Sequence, residues 1–202
     1  TFADAHARAR AAFDLAITSV LLDAGAGPGW RFADSASGMI AARSEGLALA
    51  SLRLFQWGGF SEDPNDPLRA DAAALERFTA ADLADAFAAG PHNPLAGVDG
   101  RARLLNRLGA QLKARADLFA RADRPRPGGL YDALHARAEN GALAAPVILE
   151  VLLDAFGPIW EGRATLDGAP LGDCWLHPAL GMTPLHKLSQ WLAYSLIEPL
   201  EA

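Results

Sequence analysis

Residues 4–24 read DAHARARAAFDLAITSVLLDA, a stretch in which apolar side chains return at helical spacing: Phe13, Ile17, Val20 and Leu21. This spacing predicts an amphipathic helix with one apolar stripe. Glycine is common just past helix ends, so the helix is predicted to end at the glycine-rich segment 25–29. Because these glycines follow a helix rather than a strand, they do not match the dinucleotide or phosphate-loop fingerprints.

Similar patterns predict further helices at residues 44–57, 71–77, 79–88, from 99 onward, 130–138 and 145–156. Asp167-Gly168 lies between short apolar arms in segment 164–171, which predicts a tight β-hairpin. A second hairpin or structured loop is predicted around residues 34–38. The fold class is therefore mainly α, and residues 1–202 are predicted to form a single helical domain with one or two small β-hairpins.

Composition limits the function further. The 202 residues are 51% hydrophobic and 21% charged, with a net charge of −6, which is typical of a globular domain with one sizeable core. The basic residues are scattered, so no nucleic-acid partner is expected. The single cysteine fits a reducing compartment. No apolar run reaches the length of a membrane span and no signal sequence is visible, so we expect a cytoplasmic protein without a membrane partner.

One segment, residues 183–199, combines apolar and polar periodicity: TPLHKLSQWLAYSLIEP. Four polar side chains recur there every four residues and are predicted to share one helix face, and we call them the polar row: His186, Gln190, Tyr194 and Glu198. Leucines cover another face. Thr183 is predicted as the N-cap, Pro184 as the first helical residue and Pro199 as the end of the helix.

The polar row suggests a ligand-binding wall. His186 and Lys187 would lie in the first turn, where exposed backbone N–H groups attract a phosphate or carboxylate, and Gln190 and Tyr194 would face the rest of the ligand. Trp191, together with Trp175, could supply a stacking wall. The same spacing also fits a helix packed on both sides whose polar groups are satisfied.

Carboxylates in this region and in earlier loops could act on a glycosidic or N-ribosidic bond, which needs one group to stabilise a cationic centre and another to direct water or the leaving group. The candidates are Asp173, Glu198, Glu45 and Asp63. Each also has a structural interpretation, because Glu45 could close a helix N-terminus and Asp63 could cap a turn.

Other candidate chemistry is weaker. Arg43 and Arg101 could bind an anion bidentately or pair with a neighbouring acid. Asp173, Cys174 and His177 precede the polar row closely enough to share a pocket with His186, but the paired spacing of zinc sites is absent. Cys174 could be a nucleophile with a histidine base, although a single cysteine is more often a small buried residue. No metal and no cofactor are predicted.

Several separated segments, in order along nearly the whole chain, resemble the uracil catabolism protein 4 family: residues 21–28, 43–47, 93–95 with 100–101, 171–177, 186–191 and 195–199. Members of that family are longer, with added segments at both ends. The resemblance therefore implies that this chain is the central part of a longer protein.

The resemblance also implies a role in pyrimidine degradation through ribosylated, ring-opened intermediates. The favoured step is hydrolysis of the N-ribosidic bond of a ribosylurea or its 5′-phosphate. Asp173 and Glu45 would be catalytic, and the substrate would be bound by a larger set: His186, Lys187, Gln190, Tyr194, Trp191, Arg43 and Asp63.

Two alternatives stay open from the sequence. The first is a non-catalytic helical protein that binds a pathway intermediate or another enzyme of the pathway. The second is a metal-dependent amidohydrolase that would use Asp173, His177 and His186 as ligands.

Overall fold

The computed structural model describes residues 2–120 and 124–201. Its helices are α1 (Ala5–Leu22), α2 (Arg43–Gln56), α3 (Ala72–Arg77), α4 (Ala80–Ala86), α5 (Val98–Ala114), α6 (Ala116–Phe119), α7 (Gly129–His135), α8 (Ala145–Phe156), α9 (Lys187–Ser195) and α10 (Ile197–Glu201). A 3-10 turn, Gly157–Ile159, follows α8. Within the described ranges, no helix combines the length and apolar character needed to cross a bilayer.

The strands form three separate antiparallel pairs: β1 (Phe32–Asp34) with β2 (Met39–Ala41), β3 (Thr165–Leu166) with β4 (Ala169–Pro170), and β5 (Cys174–His177) with β6 (Gly181–Pro184). The prediction of a mainly α fold is confirmed, and so are the hairpins at residues 34–38 and 164–171. The number of hairpins was wrong, because the described residues contain three rather than one or two. The missed pair is β5–β6, where strand pairing overrides the helix-start signal of Thr183-Pro184.

Helix α1 lies at the centre of the fold. It packs against α2, α5, α7, α9 and α10, and its apolar stripe is buried as predicted. Arg101 is also buried and donates hydrogen bonds to the carbonyl oxygens of Leu22 and Gly25, at 2.9 and 3.0 Å, and to that of Ala96. Arg101 is therefore a cap on the end of α1, and the interpretation of it as an anion-binding residue was wrong.

A buried carboxylate fixes α1 to two distant parts of the chain. Asp14, fully buried in α1, accepts hydrogen bonds from the backbone N–H groups of Ala70 (3.1 Å) and Gly128 (2.6 Å). It also forms an ion pair with Arg126, whose Nε lies 2.9 Å from Asp14 Oδ2. A buried charge is tolerated only when it is paired and hydrogen-bonded. These contacts therefore hold segment 124–129 and residue 70 against α1.

We expect Asp14→Asn to lower the free energy of unfolding by about 3–5 kcal/mol, because it leaves the Arg126 guanidinium buried without a counter-charge. Urea denaturation followed by circular dichroism measures this change. The matched control is Asp85→Asn, since Asp85 is exposed in α4 and should change stability by about 0.5 kcal/mol or less. Equal effects of the two substitutions would show that the buried pair does not stabilise the fold.

A second carboxylate attaches the β1–β2 hairpin to α2. Asp34 receives two hydrogen bonds from the Arg53 guanidinium, both at 2.7 Å, and one from the Ser37 hydroxyl at 2.6 Å. These hydrogen bonds hold the pKa of the Asp34 carboxyl well below its usual range. The interaction therefore stabilises the folded state at every pH at which the Asp34 carboxyl is ionised in the unfolded chain.

The sign of the pH dependence follows from that lowered pKa. The stabilisation by Asp34 should be fully present above the unfolded-state pKa of about 4 and should be lost as the pH falls from there towards the lower folded-state pKa. The measurement is the free energy of unfolding of the wild type and of Asp34→Asn between about pH 2 and pH 7. The gap between the two proteins should close at acidic pH, whereas a gap independent of pH would contradict the assignment.

Candidate functional site

The helix that carries the polar row begins later than the sequence predicts. Thr183 and Pro184 lie in strand β6, where they pair with Trp175 and Cys174. Helix α9 starts at Lys187, and His186 is the N-cap, in the left-handed conformation with φ 41°. The predicted N-cap role of Thr183 was therefore wrong, whereas Lys187 does lie in the first turn.

The end of this helix also differs from the prediction. A break at Leu196 separates α9 from α10, and Pro199 lies inside the first turn of α10, where its missing N–H has no intrahelical role. Pro199 therefore does not end the helix. Glu198 is exposed in α10, so the polar row on α9 is reduced to His186, Gln190 and Tyr194. The leucines do cover the other face as predicted, since Leu192 and Leu196 are buried.

The β5–β6 hairpin places the start of α9 beside Asp173. The backbone carbonyl of Asp173 accepts hydrogen bonds from the N–H groups of Leu185 (3.1 Å) and His186 (3.4 Å). The residue before β5 is thereby joined to the N-cap of α9. We call the residues in and around this hairpin that form two neighbouring sets of side-chain contacts the hairpin cluster: Arg163, Asp173 and Trp175, and Cys174 with His186.

Asp173 is oriented by its neighbours in the hairpin cluster. The Trp175 indole N–H donates to Asp173 Oδ1 at 2.8 Å, and Nη2 of Arg163 lies 3.9 Å from the same oxygen. The Arg163 guanidinium stacks on the Trp175 ring, 3.8 Å from its centroid. Asp173 Oδ2 has no hydrogen-bond donor among the residues that the structure describes. One carboxylate oxygen is thus held by the protein, and the other is available to a ligand.

Two nitrogen atoms of the cluster are buried without a hydrogen-bond partner in the described part of the chain: His186 Nδ1 and Arg163 Nε. The other ring nitrogen of His186, Nε2, lies 3.9 Å from the sulfur of Cys174. Buried polar atoms usually have a partner, so each of these nitrogens is a candidate contact for a polar ligand. The His186 ring thus lies beside the Cys174 thiol, and its backbone N–H is joined to the Asp173 carbonyl, whereas a pocket shared by Asp173, Cys174 and His186 stays a prediction.

The rest of the polar row faces a different cavity. Gln190 and Tyr194 line a space of about 260 Å³ together with Ala193 and Ile197 and three residues of α8: Ala145, Pro146 and Leu149. Neither Asp173 nor His186 lines this space. Trp191 is exposed on α9. The assignment of Gln190, Tyr194 and Trp191 to the same substrate as Asp173 therefore stays a prediction.

Arg43 and Glu45 lie at the start of α2, which is tied to the end of α1 by a hydrogen bond from the Ser44 hydroxyl to Asp23 (2.9 Å). Ser44 is inside the helix and does not cap it, because α2 begins one residue earlier, at Arg43. Both predicted side chains are exposed, and Arg43 has φ 52°. Their predicted substrate and catalytic roles stay predictions.

Asp63 lies in the loop before α3. Its Oδ1 accepts a hydrogen bond from the N–H of Asn65 (2.9 Å), so its side chain caps a turn. That contact is the structural alternative which the sequence left open, and substrate binding by Asp63 stays a prediction.

The ligand set of the metal alternative is not assembled. His177 lies at the turn end of the β5–β6 hairpin, four residues from Asp173, and its Nδ1 accepts from the N–H of Ala179 (3.1 Å). In the described ranges, no three histidine, cysteine or acidic side chains are grouped closely enough to hold a metal ion. The amidohydrolase alternative therefore gains no support from the geometry.

Arg163 is the residue of the cluster that sequence analysis missed. It follows the turn after the 3-10 segment and belongs to no motif, because its position depends on how the β5–β6 hairpin brings Trp175 against it. A lone arginine before a hairpin gives no sequence signal of this kind.

The left-handed conformation of His186 gives a test of the local geometry. His186→Gly should be more stable than His186→Ala by about 1 kcal/mol, since both lose the imidazole but only alanine has a Cβ that disfavours this conformation. At His177, in strand β5, the order should reverse. Chemical denaturation of the four variants measures it, and the same order at both positions would contradict the conformation of residue 186.

Comparison with known proteins adds the family. Residues 1–202 match the model of a family described as "Protein of unknown function (DUF1688)". The chain is similar to Uracil catabolism protein 4 of Lachancea kluyveri, 38% identical over 209 residues that cover 95% of this chain and 47% of that protein. It is also similar to Protein urg3 of Schizosaccharomyces pombe, 37% identical over 191 residues, 94% of this chain and 45% of that protein. The chain thus spans about half the length of these curated relatives.

Proposed function

We propose a function for this chain on the basis of its family, since the chain belongs to the DUF1688 family. The resemblance to uracil catabolism protein 4 that the sequence indicated is confirmed. The proposed role is in uracil catabolism. The proposed step is hydrolysis of the N-ribosidic bond of a ribosylurea-type intermediate, which releases urea.

The hydrogen bonding of the Asp173 carboxylate is the observation that supports this proposal. Asp173 is held through Oδ1 by the Trp175 indole, while no described residue donates to Oδ2. When one oxygen of a carboxylate is held, the second oxygen can face a ribosyl centre without a loss of free energy for reorienting the side chain. Its side chain is 17% exposed, so water and substrate can reach it.

The bonds that form and break in this hydrolysis give separate roles to Asp173, His186 and Glu45. The oxygen of water attacks C1′, the C1′–N bond breaks, the water proton passes to Asp173 Oδ2, and the urea nitrogen takes a proton. Oδ2 would also stabilise the positive charge that develops on the ribosyl ring. His186 would protonate the leaving urea or bind it, and the hydrogen bond from its backbone N–H to the Asp173 carbonyl supports this role. Glu45 would contribute from the start of α2 as a second carboxylate.

A second candidate function is a binding protein without turnover, and a separate observation favours it. A group of large apolar side chains is exposed on the β5–β6 hairpin and α9: Trp175, Leu176, Leu180, Met182, Leu185, Trp191 and Tyr194. Exposed apolar patches of this kind mark sites where other protein surfaces pack. Other enzymes of the pathway, or the additional segments found in the longer relatives, are the candidate partners.

The test of the hydrolase proposal is urea release from ribosylurea and from its 5′-phosphate, by this chain and by a full-length relative in parallel. Asp173→Asn should lower kcat by about 10²–10⁴-fold, because the amide can neither accept the water proton nor stabilise the cation. The matched control is Asp167→Asn, since Asp167 lies in an exposed hairpin turn that asparagine also favours.

If neither protein releases urea above background, the hydrolase proposal fails. Binding of the substrate without turnover would then support the second candidate function. Full activity of Asp173→Asn would remove that residue from the mechanism while leaving the reaction intact.

A further inference from the structure

We propose that Arg163 binds the phosphate group of a phosphorylated substrate at the hairpin cluster. This inference rests on the proposed function, and it narrows the substrate from ribosylated compounds in general to phosphomonoesters of the ribose. It also adds Arg163, which no sequence pattern indicated, to the proposed substrate-binding residues.

The contacts of Arg163 differ from those of two other half-buried arginines, Arg53 and Arg10. Arg53 holds Asp34 through two hydrogen bonds of 2.7 Å, and Arg10 holds Asp132 in the same way with its shortest contact at 2.7 Å. Arg163 approaches an acid only at 3.9 Å, beyond hydrogen-bond distance. Its guanidinium therefore keeps hydrogen-bond donors that a carboxylate has not taken.

The guanidinium is nevertheless held in place. Its Cζ lies over the Trp175 ring at 3.8 Å from the centroid, and its side chain is 23% exposed. A contact of this kind restrains the guanidinium and leaves N–H groups available for hydrogen bonds. A planar fork of N–H groups with a fixed orientation matches two oxygens of a phosphate.

The surroundings favour an anion. His186 Nδ1, like Arg163 Nε, is buried with no hydrogen-bond partner among the described residues, and Lys187 is exposed in the next position of the chain. Arg163 is thus a cation beside one carboxylate, Asp173, and its Nε has no acceptor in the described part of the chain. A dianionic group bound by Arg163 would leave Asp173 Oδ2 for the ribose end of the same molecule.

The experiment measures binding rather than turnover, with ribose 5-phosphate, inorganic phosphate and ribose as probes. Trp175 lies directly under the guanidinium, so tryptophan fluorescence should report occupancy, and isothermal titration calorimetry gives the Kd independently. Wild-type protein should bind ribose 5-phosphate and phosphate at least about tenfold more tightly than ribose.

Arg163→Gln should weaken binding of ribose 5-phosphate by about tenfold or more. The affinity of Arg163→Lys should lie between those of the wild type and Arg163→Gln, because lysine keeps the charge but not the planar fork. The affinity for ribose should not change. The matched control is Arg8→Gln, an exposed arginine in the first part of α1, which removes the same charge far from the cluster. Circular dichroism verifies that each variant is folded.

Two results would overturn the inference: equal affinity of the wild type for ribose and ribose 5-phosphate, or an unchanged Kd for ribose 5-phosphate in Arg163→Gln. If that variant does not fold, Arg163→Lys and the comparison of the three probes on the wild type decide the question. Phosphate binding with no urea release would retire the hydrolase proposal and keep the anion site. Urea release that is equal with and without the 5′-phosphate would retire the anion site alone.

Discussion

The ion pair between Asp14 and Arg126 is the interaction on which the arrangement of the helices depends. Asp14 lies in the middle of α1, and its four hydrogen bonds reach backbone or side-chain groups more than fifty residues away in sequence. Because the pair is buried, any displacement of segment 124–129 or of residue 70 from α1 would leave an uncompensated charge or N–H group. Five helices, α2, α5, α7, α9 and α10, pack against the element that is fixed in this way.

The candidate site is built near the C-terminal end of the same helix. Leu188 and Leu192 of α9 lie against Leu21 near the end of α1, so the packing of α1 sets the position of the helix that carries His186. The β5–β6 hairpin then sets its starting angle, since the Asp173 carbonyl holds the N–H of residue 186 and the left-handed N-cap turns the chain into α9. Asp173 and His186 are therefore adjacent through backbone contacts, which are less sensitive to substitution than side-chain contacts.

Much of the fold could be predicted from sequence because its helices are amphipathic and local. The predicted range of α8 agrees with the structure, and α1 ends two residues before the predicted end. The errors lie where a tertiary contact competes with a local signal. Thr183-Pro184 has the pattern of a helix start, but the hydrogen bonds of an antiparallel pair with Cys174 and Trp175 stabilise a strand instead.

The site was only partly predictable for a similar reason. Spacing along one helix correctly placed Gln190 and Tyr194 on a shared face, yet it could not indicate that this face is turned to α8 while His186 is turned to the hairpin. Contacts between segments are harder still, because the contact of Arg163 with Trp175 leaves no mark in either local sequence. The Trp175 indole makes two contacts: its ring lies under the Arg163 guanidinium, and its N–H donates to the Asp173 carboxylate. Substitution of Trp175 would therefore remove a contact from both Arg163 and Asp173, whereas substitution of either charged residue would leave the other contact in place.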